Sequence, residues 1–338
     1  FDEWLENNPE KKSLLSQHYL SSLPVVLHMQ LHEILNQPMN LTLETKLINQ
    51  WSSLPQEDQS QLCANLNSIN PQSFSKVFMN STLAKDCASS FFVPVPPTSS
   101  QLKDLITQTP DARNYANGKF YKKPKIFQFC RTNREYTCLM VIKNKDDQWV
   151  KTSQGKVWSQ QKLSLSRYGK NYNERNGSTP SGVYTINGVM PYADNQPVYG
   201  RYRRLIIQFI PSSSSENLTK SLIPPSNHSA NWWKEAVVAR DMGRDLFRIH
   251  GTLRRNEDKS STYYPFYPTA GCVATKEGLY DSVDYIDQRP LLDTLMTENE
   301  LQPIYSNEPN ILALFYVINI NGENRPVSLQ DLEPYGIK

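Results

Sequence analysis

The sequence has little excess charge and no long apolar run. Its 36 lysines and arginines stand against 33 aspartates and glutamates, a formal net charge of +3, and no run of basic residues is longer than two. Such a weakly basic chain does not indicate a nucleic-acid surface. No apolar stretch approaches the roughly 20 residues of a membrane-spanning helix. We therefore expect no nucleic-acid partner and no membrane span, in a chain of 338 residues that is long enough for two domains.

Cysteine is also scarce, with five residues. If the protein is exported, four cysteines can form two disulfides and leave Cys272 free. Three pairings of Cys63, Cys87, Cys130 and Cys138 are open, and we prefer the local one, Cys63–Cys87 with Cys130–Cys138. The alternative is that all five are buried thiols of a cytosolic protein. The first residue is Phe1 rather than Met, which suits a removed export signal and equally a chain shortened in another way.

The first 90 residues predict an α-helical domain. Apolar residues recur at helical spacing over 16–37 and 42–54, with further helices expected over 56–69 and 73–88. His28 and His32 lie one helical turn apart, but two ligands without a third are a weak metal signal. We interpret both histidines as surface or packing residues.

A proline- and serine-rich stretch opens a predicted linker over 91–118, with a short helix over 99–108. In residues 119–338, apolar and polar residues alternate as they do in β-strands. One predicted hairpin in this region brings Cys130 opposite Cys138. The pattern predicts an α+β protein whose second domain is β-rich.

Three further stretches of that domain carry separate predictions. Residues 212–231 predict a surface loop, 231–240 a helix capped by Asn231, and 276–286 a helix. Trp232 and Trp233 are interpreted either as core or as the lining of a groove.

The stretch 246–278 carries the chemistry. Cys272 follows Gly271, and a glycine there lets the backbone approach a target carbonyl and turn N–H groups towards an oxyanion. A thiol becomes a strong nucleophile as thiolate, and a neighbouring imidazole is a common base for it. In the alternation 246–250, Arg248 and His250 point to the same side of a strand, so that a base and a cation enter one cleft.

Two motifs resemble a known family. Ile249-His250-Gly251-Thr252 followed by Thr269-Ala270-Gly271-Cys272-Val273 resembles the signature of the L,D-transpeptidase (YkuD-type) catalytic domain, and 179–186, TPSGVYTI, resembles that family's T-P-x-G-x-[FY]-x-I strand. The order and the gap of the two motifs match as well. The resemblance covers the second half to two thirds of the chain.

The resemblance implies a function. Cys272 would be the nucleophile, His250 its base, and the Gly251 carbonyl the group that orients the imidazole. The backbone N–H groups of Gly271 and Cys272 would bind the oxyanion. The substrate would be a peptidoglycan tetrapeptide stem, the acceptor an amine of a second stem or of a wall-attached protein, and the location periplasmic or otherwise extracytoplasmic. No metal or organic cofactor is expected.

Other residues have two interpretations each. Arg248 either binds a substrate carboxylate or forms a solvated salt bridge, and Thr269 either touches substrate or ties a turn. The aromatic segment 263–267 is either a flap over the site, with Tyr267 on the substrate, or plain packing.

The chain departs from the family's pattern at three points. Ala270 and Ala274 stand where many members carry histidine and arginine, and the spacing from histidine to cysteine (272 − 250 = 22) is longer than usual. Two alternatives therefore stay open: an L,D-carboxypeptidase or endopeptidase that hydrolyses the same bond, and an inactive wall-binding scaffold.

Overall fold

The structure is a computed structural model that describes residues 41–55, 58–59, 62–63, 66, 74–87, 94–192, 194–211, 215–241 and 243–337. The chain divides into two compact units, 1–93 with 241–243, and 94–240 with 244–338. Helices occur together with a large mixed sheet, so the protein is α+β as the sequence predicts. The predicted helix over 16–37, with His28 and His32, lies outside the described residues.

The described residues of the first unit form short helices around one apolar cluster. The helices are α1 Leu41–Gln50, α2 Lys76–Met79 and α3 Thr82–Asp86. Ser75 and Ser81 cap α2 and α3 by accepting backbone N–H groups, so the described residues 74–87 contain two helices where the sequence predicted one. The centre is filled by Leu43, Leu47, Trp51, Leu62, Phe78 and Leu83.

The second unit contains the strands. They are β1 Lys125–Cys130, β2 Cys138–Lys143, β3 Ser159–Lys162, β4 Gly182–Val189, β5 Leu205–Phe209, β6 Arg248–His250, β7 Val273–Ala274, β8 Glu277–Tyr280, β9 Val283–Ile286 and β10 Leu312–Asn319. Its helices are α4 Ser99–Thr107, α5 Gln196–Tyr199, α6 Ser215–Lys220, α7 Lys234–Asp241 and α8 Gln288–Glu298.

Eight strands form one curled sheet in the order β3-β2-β1-β10-β4-β5-β6-β7, while β8 and β9 form a separate hairpin. The pairs β1–β10 and β6–β7 are parallel and the others antiparallel. Leu163, directly after β3, exchanges two backbone hydrogen bonds of 3.0 and 2.8 Å with Ala274 of β7. The first and last strands therefore meet, and the sheet is nearly closed.

Both faces of the sheet are covered. Along β10, Leu314, Tyr316 and Ile318 enter one apolar cluster and Ala313, Phe315 and Val317 the other. The first cluster includes α4 and both tryptophans that precede α7; the second includes α8. Burial on both faces explains why the central strands are continuous apolar runs instead of alternating ones.

Several sequence predictions can be compared with the structure here. Helix α4 begins with a complete capping box at Thr98 and Gln101, and it buries Leu102, Leu105 and Ile106 in the second unit's core. Residues 94–118 therefore pack within that unit and do not act as a free spacer. Trp232 and Trp233 are core residues, 1% and 0% exposed.

Three local predictions are wrong. Residues 276–286 form the hairpin β8–β9 and not a helix, because the backbone turns at Asp281 and Ser282, both with positive φ. Helix α7 starts at Lys234, so Asn231 is not its cap; the Asn231 side chain instead accepts the backbone N–H of Val95. The expected loop 212–231 contains α6 and a 3₁₀ turn, Pro225–Asn227.

The structure contains the two local disulfides, Cys63–Cys87 and Cys130–Cys138, and leaves Cys272 as the free thiol. Within the described ranges no helix is long and apolar enough to cross a bilayer.

The buried tryptophan gives a test of the second unit's core. Trp232 packs in the apolar cluster and donates its indole N–H to Asn227 Oδ1 at 2.9 Å. We expect Trp232→Ala to lower the free energy of unfolding by about 3–5 kcal/mol, measured by chemical denaturation. Leu279→Ala, at a half-exposed position of β8, is the control and should change it by less than about 0.5 kcal/mol. Equal effects would contradict this core.

Candidate active site

Cys272 lies at the entrance of β7, directly after a glycine with an unusual backbone. Gly271 has φ +107°, and a Cβ there would lie 2.6 Å from Gly177 O and 2.7 Å from Arg244 Nη2. Only glycine fits this position without displacing its neighbours. Cys272 is partly exposed as a residue, although its thiol is desolvated by the groups around it.

Two threonine hydroxyls hold the peptide groups around the cysteine. Thr179, from the first motif, donates to Gly271 O at 2.8 Å, and Thr269 donates to Cys272 O at 2.6 Å. Because C=O and N–H point in opposite directions across a trans peptide, the Cys272 N–H faces away from Thr179. The hydroxyl of Thr269 is thus used to tie this loop, the second of its two interpretations.

His250 is buried on β6, and its ring is oriented by the backbone. Nδ1 lies 2.6 Å from Gly251 O, a carbonyl that can only accept, so Nδ1 carries the proton and Nε2 has the free lone pair. The ring of Tyr199 approaches the imidazole edge-on, with the centroids 5.7 Å apart. This is the carbonyl-oriented imidazole that the family resemblance implies.

The strand pairing brings thiol and imidazole to one face of the sheet. In the parallel pair β6–β7, Ile249 is aligned with Val273 and His250 with Ala274. Alternation then directs His250 and Cys272 to the same side, as diagonal neighbours whose α-carbons are about 8 Å apart in a regular ladder. Ile249 and Val273 point to the opposite side, into the apolar cluster of α8.

Gly251 is required by what lies beneath it. A Cβ at this residue would be 1.5 Å from Oε2 of Glu277, whose carboxylate is fully buried. The other oxygen of Glu277 accepts the backbone N–H of Arg201 at 2.5 Å, and the Arg201 guanidinium also pairs with Asp284. Glu277 and Arg201 therefore support the loop whose carbonyl orients His250, a role that the sequence did not reveal.

Burial favours the neutral form of both reacting groups, and the nearby arginine charges favour the neutral form of His250 only. Burial lowers the pKa of His250 to about 4; the hydrogen bond to Gly251 opposes this shift, and the charges of Arg204 and Arg248 add to it. Burial raises the pKa of the Cys272 thiol above its ordinary value, while a backbone hydrogen bond at Arg248 and the charges of nearby arginines act against the rise. At rest the pair is thiol and neutral imidazole.

Arg204 is a site residue that sequence reasoning missed. In the antiparallel pair β5–β6, Leu205 is aligned with Ile249. The same register, continued by one residue, places Arg204 opposite His250. Its guanidinium lies 4.2 Å from the ring centroid of Tyr199, the ring that contacts the imidazole. The sequence carries no signal for this role, because it depends on the pairing of β5 with β6.

The other predicted site residues are placed as follows. Arg248 is partly buried beside the thiol and donates to Phe247 O at 2.6 Å. Tyr267 is partly exposed, in a segment whose Phe266 and Tyr263 pack against Leu163 and Ala274, at the seam that closes the sheet. Among the described residues, no group of three His, Cys, Asp or Glu side chains is placed to hold a metal ion.

Comparisons of the chain with protein-family models, with curated proteins and with solved structures found no match. The two motifs and the geometry around Cys272 are therefore the features that indicate a function.

The ionisation of Cys272 can be measured directly, because the other four cysteines are in disulfides. We expect the rate of alkylation by iodoacetamide to rise with pH around a midpoint above that of an ordinary cysteine, since burial disfavours the thiolate. Arg248→Gln should raise the midpoint further because it removes a charge that lowers this pKa. Intact-mass spectrometry at a series of pH values gives the rates.

Arg113→Gln is the matched control, since Arg113 is an exposed arginine paired with Asp111. It should leave the midpoint unchanged. A wild-type midpoint below that of an ordinary cysteine would contradict the electrostatic description of this site.

Proposed function

We propose that the chain is a cysteine-dependent acyltransferase of the L,D-transpeptidase type, acting on peptidoglycan tetrapeptide stems. The observation that carries the proposal is the hydrogen bond from His250 Nδ1 to Gly251 O. Because this hydrogen bond uses the proton on Nδ1, Nε2 can act only as an acceptor. His250 lies on the same face of the sheet as the free thiol of Cys272. The two sequence motifs meet at this point, because Thr179 of one holds Gly271 of the other.

Acylation follows from these positions. Cys272 Sγ attacks the carbonyl at the L centre of the third stem residue, while His250 Nε2 takes the thiol proton. The backbone N–H groups of Gly271 and Cys272 stabilise the oxyanion. When the tetrahedral intermediate collapses, the C–N bond breaks and the departing D-alanine amine takes the proton from His250.

Deacylation reverses the proton path. An acceptor amine attacks the thioester, its proton passes to His250, and the C–S bond breaks as the proton returns to sulfur. The product is a cross-link between stems or an attachment of protein to the wall. Burial disfavours both the thiolate and the imidazolium before the substrate binds, so the proposed reaction starts from a thiol and a neutral imidazole.

The compartment agrees with this substrate. Disulfides form and persist in oxidising environments, and the structure contains two of them. We propose that the protein works outside the cytoplasm, where peptidoglycan stems are accessible.

Digestion of a disaccharide tetrapeptide tests the reaction. We expect the wild-type protein to release D-alanine and to form dimers of higher mass, whereas Cys272→Ala forms neither, because the thioester is lost. Products are measured by liquid chromatography with mass spectrometry. Tripeptide monomers without dimers would assign hydrolysis of the same bond and reject transfer.

A carbapenem provides the control for an intact site. Wild-type protein should gain the mass of one acyl adduct at Cys272, and Cys272→Ala should gain none. A folded wild-type protein that gains no adduct and releases no D-alanine would overturn the proposed function and favour a scaffold.

The pH dependence of kcat/KM reports the base. Since the pKa of His250 is lowered to about 4, we expect kcat/KM to remain level down to about pH 5 and to fall below it as the imidazole is protonated and can no longer accept the thiol proton. Arg204→Gln should move this acidic limb to higher pH, because the arginine's charge lowers the pKa of His250. An acidic limb near pH 6.5 in the wild type would contradict the burial of the base.

A further inference from the structure

We propose that Arg204 and Arg248 together form an anion-binding subsite beside Cys272, which holds a carboxylate of the acyl donor. The identification of the bound molecule as the acyl donor rests on the proposed function. The affinity of the two arginines for a carboxylate is independent of that function. These two guanidinium groups are called the anion subsite.

Strand register places both arginines on the reactive face. Ile206 of β5 is aligned with Arg248 of β6, and Arg204 extends the same register opposite His250. Arg248 and His250 alternate to one side of β6, the side to which Cys272 also points. The two cations therefore flank the imidazole, one across the strand pair and one along the strand.

Arg204 is oriented there without an acidic partner. Its guanidinium stacks on Tyr199, and its Nε is buried with no hydrogen-bond partner in the described part of the chain. Tyr199 in turn contacts the His250 ring. A buried donor without a partner is costly, so its persistence at a reactive site calls for an explanation.

Arg248 is similarly placed. Its Nη1 donates to Phe247 O, and across the described ranges no carboxylate oxygen lies within ion-pairing distance of its guanidinium or of that of Arg204. Asp245 acts on Arg248 only at longer range. The third nearby arginine, Arg244, donates to the carbonyls of Gly177 and Ser178 and so has a structural role.

Neighbouring arginines of the same unit are arranged differently. Arg201 pairs with Glu277 and Asp284, Arg203 with Glu308, and Arg289 with Glu308 and Asp293. These three arginines thus have acidic partners, whereas within the described residues Arg204 and Arg248 have none. Two like charges in a partly desolvated cleft repel, and an anion between them relieves the repulsion. The planar guanidinium fork matches a carboxylate in particular.

A simpler role for the two arginines is to tune the ionisation of the thiol alone. The comparison of two alkylating reagents separates the roles. Iodoacetate and iodoacetamide both react by thiolate displacement of iodide with formation of a C–S bond, but only iodoacetate carries a carboxylate. The thiolate fraction affects both rates equally, so it cancels when the iodoacetate rate is divided by the iodoacetamide rate. The remaining difference measures the preference of the site for an anionic reagent.

We expect wild-type protein to react with iodoacetate faster relative to iodoacetamide than a free cysteine does. Arg204→Gln and Arg248→Gln should each lower this ratio about 3- to 10-fold at low salt, the effect of one charge a few ångströms from the reagent, and about 0.5 M salt should lower the wild-type ratio too. Arg204→Lys, which keeps the charge, should retain most of the preference. Arg113→Gln removes an equal charge at an exposed position and should leave the ratio unchanged.

Ratios that are the same in wild type, Arg204→Gln and Arg248→Gln would overturn the anion subsite. A variant that unfolds is recognised by its circular dichroism spectrum and by an iodoacetamide rate equal to that of a free cysteine. In that case the ratio of the iodoacetate rate to the iodoacetamide rate is measured for Arg204→Lys and for wild type at low and at high salt. A ratio that does not change with salt in either protein would reject the anion subsite.

Donor peptides in which each carboxylate in turn is converted to a carboxamide extend the test to the reaction. Wild-type kcat/KM should fall when the bound carboxylate is amidated, whereas Arg204→Gln should discriminate less between the two donors. An anion preference in alkylation without thioester formation from any donor would refute the proposed function and leave the subsite standing. Thioester formation without any anion preference would refute the subsite alone.

Discussion

The parallel pairing of β6 with β7 is the interaction on which the site depends. Two aligned residue pairs, Ile249 with Val273 and His250 with Ala274, join segments that the sequence separates by more than 20 residues. The apolar members anchor the pair against α8, and the alternate positions present imidazole and thiol on the other face. The backbone N–H of Thr275 donates to His250 O at 2.9 Å, and Leu163 pairs with Ala274, so β7 is held from both sides. A short strand is thereby placed firmly enough to carry a reactive group.

Burial opposes ionisation of both the thiol and the imidazole, and the arginine charges offset this effect for the thiol alone. Burial disfavours both the thiolate and the imidazolium. The arginine charges shift both groups in the same direction, lowering the pKa of the thiol and of the imidazole alike. They therefore favour the thiolate while keeping the base unprotonated. A neutral imidazole and a neutral thiol on one face of the sheet are the starting state that the proposed general-base reaction requires.

Much of this was accessible from the sequence because local patterns carry it. The motif residues Gly271 and Cys272, the alternation of Arg248 with His250, and the short helix α4 each depend on neighbours within a few positions. The errors arose where distant contacts overrode a local pattern. Residues 276–286 have helical spacing, yet β8 is tied by Glu277 to Arg201 and by its pairing with β9, and these contacts determine its conformation. The supporting roles of Glu277 and Arg204 were invisible for the same reason, since each depends on which strand lies alongside.

The sequence by itself determined which groups are available: a cysteine after a glycine, a histidine followed by a glycine, and strands apolar enough to be buried on both faces. Only the tertiary structure decided which of them meet. Leu163 and Ala274 close the sheet beside the pair β6–β7, and the buried carboxylate of Glu277 lies against Gly251, whose carbonyl orients His250. Strand order and register are set by long-range packing, whose free energy is shared among many residues and leaves no signature at any single one.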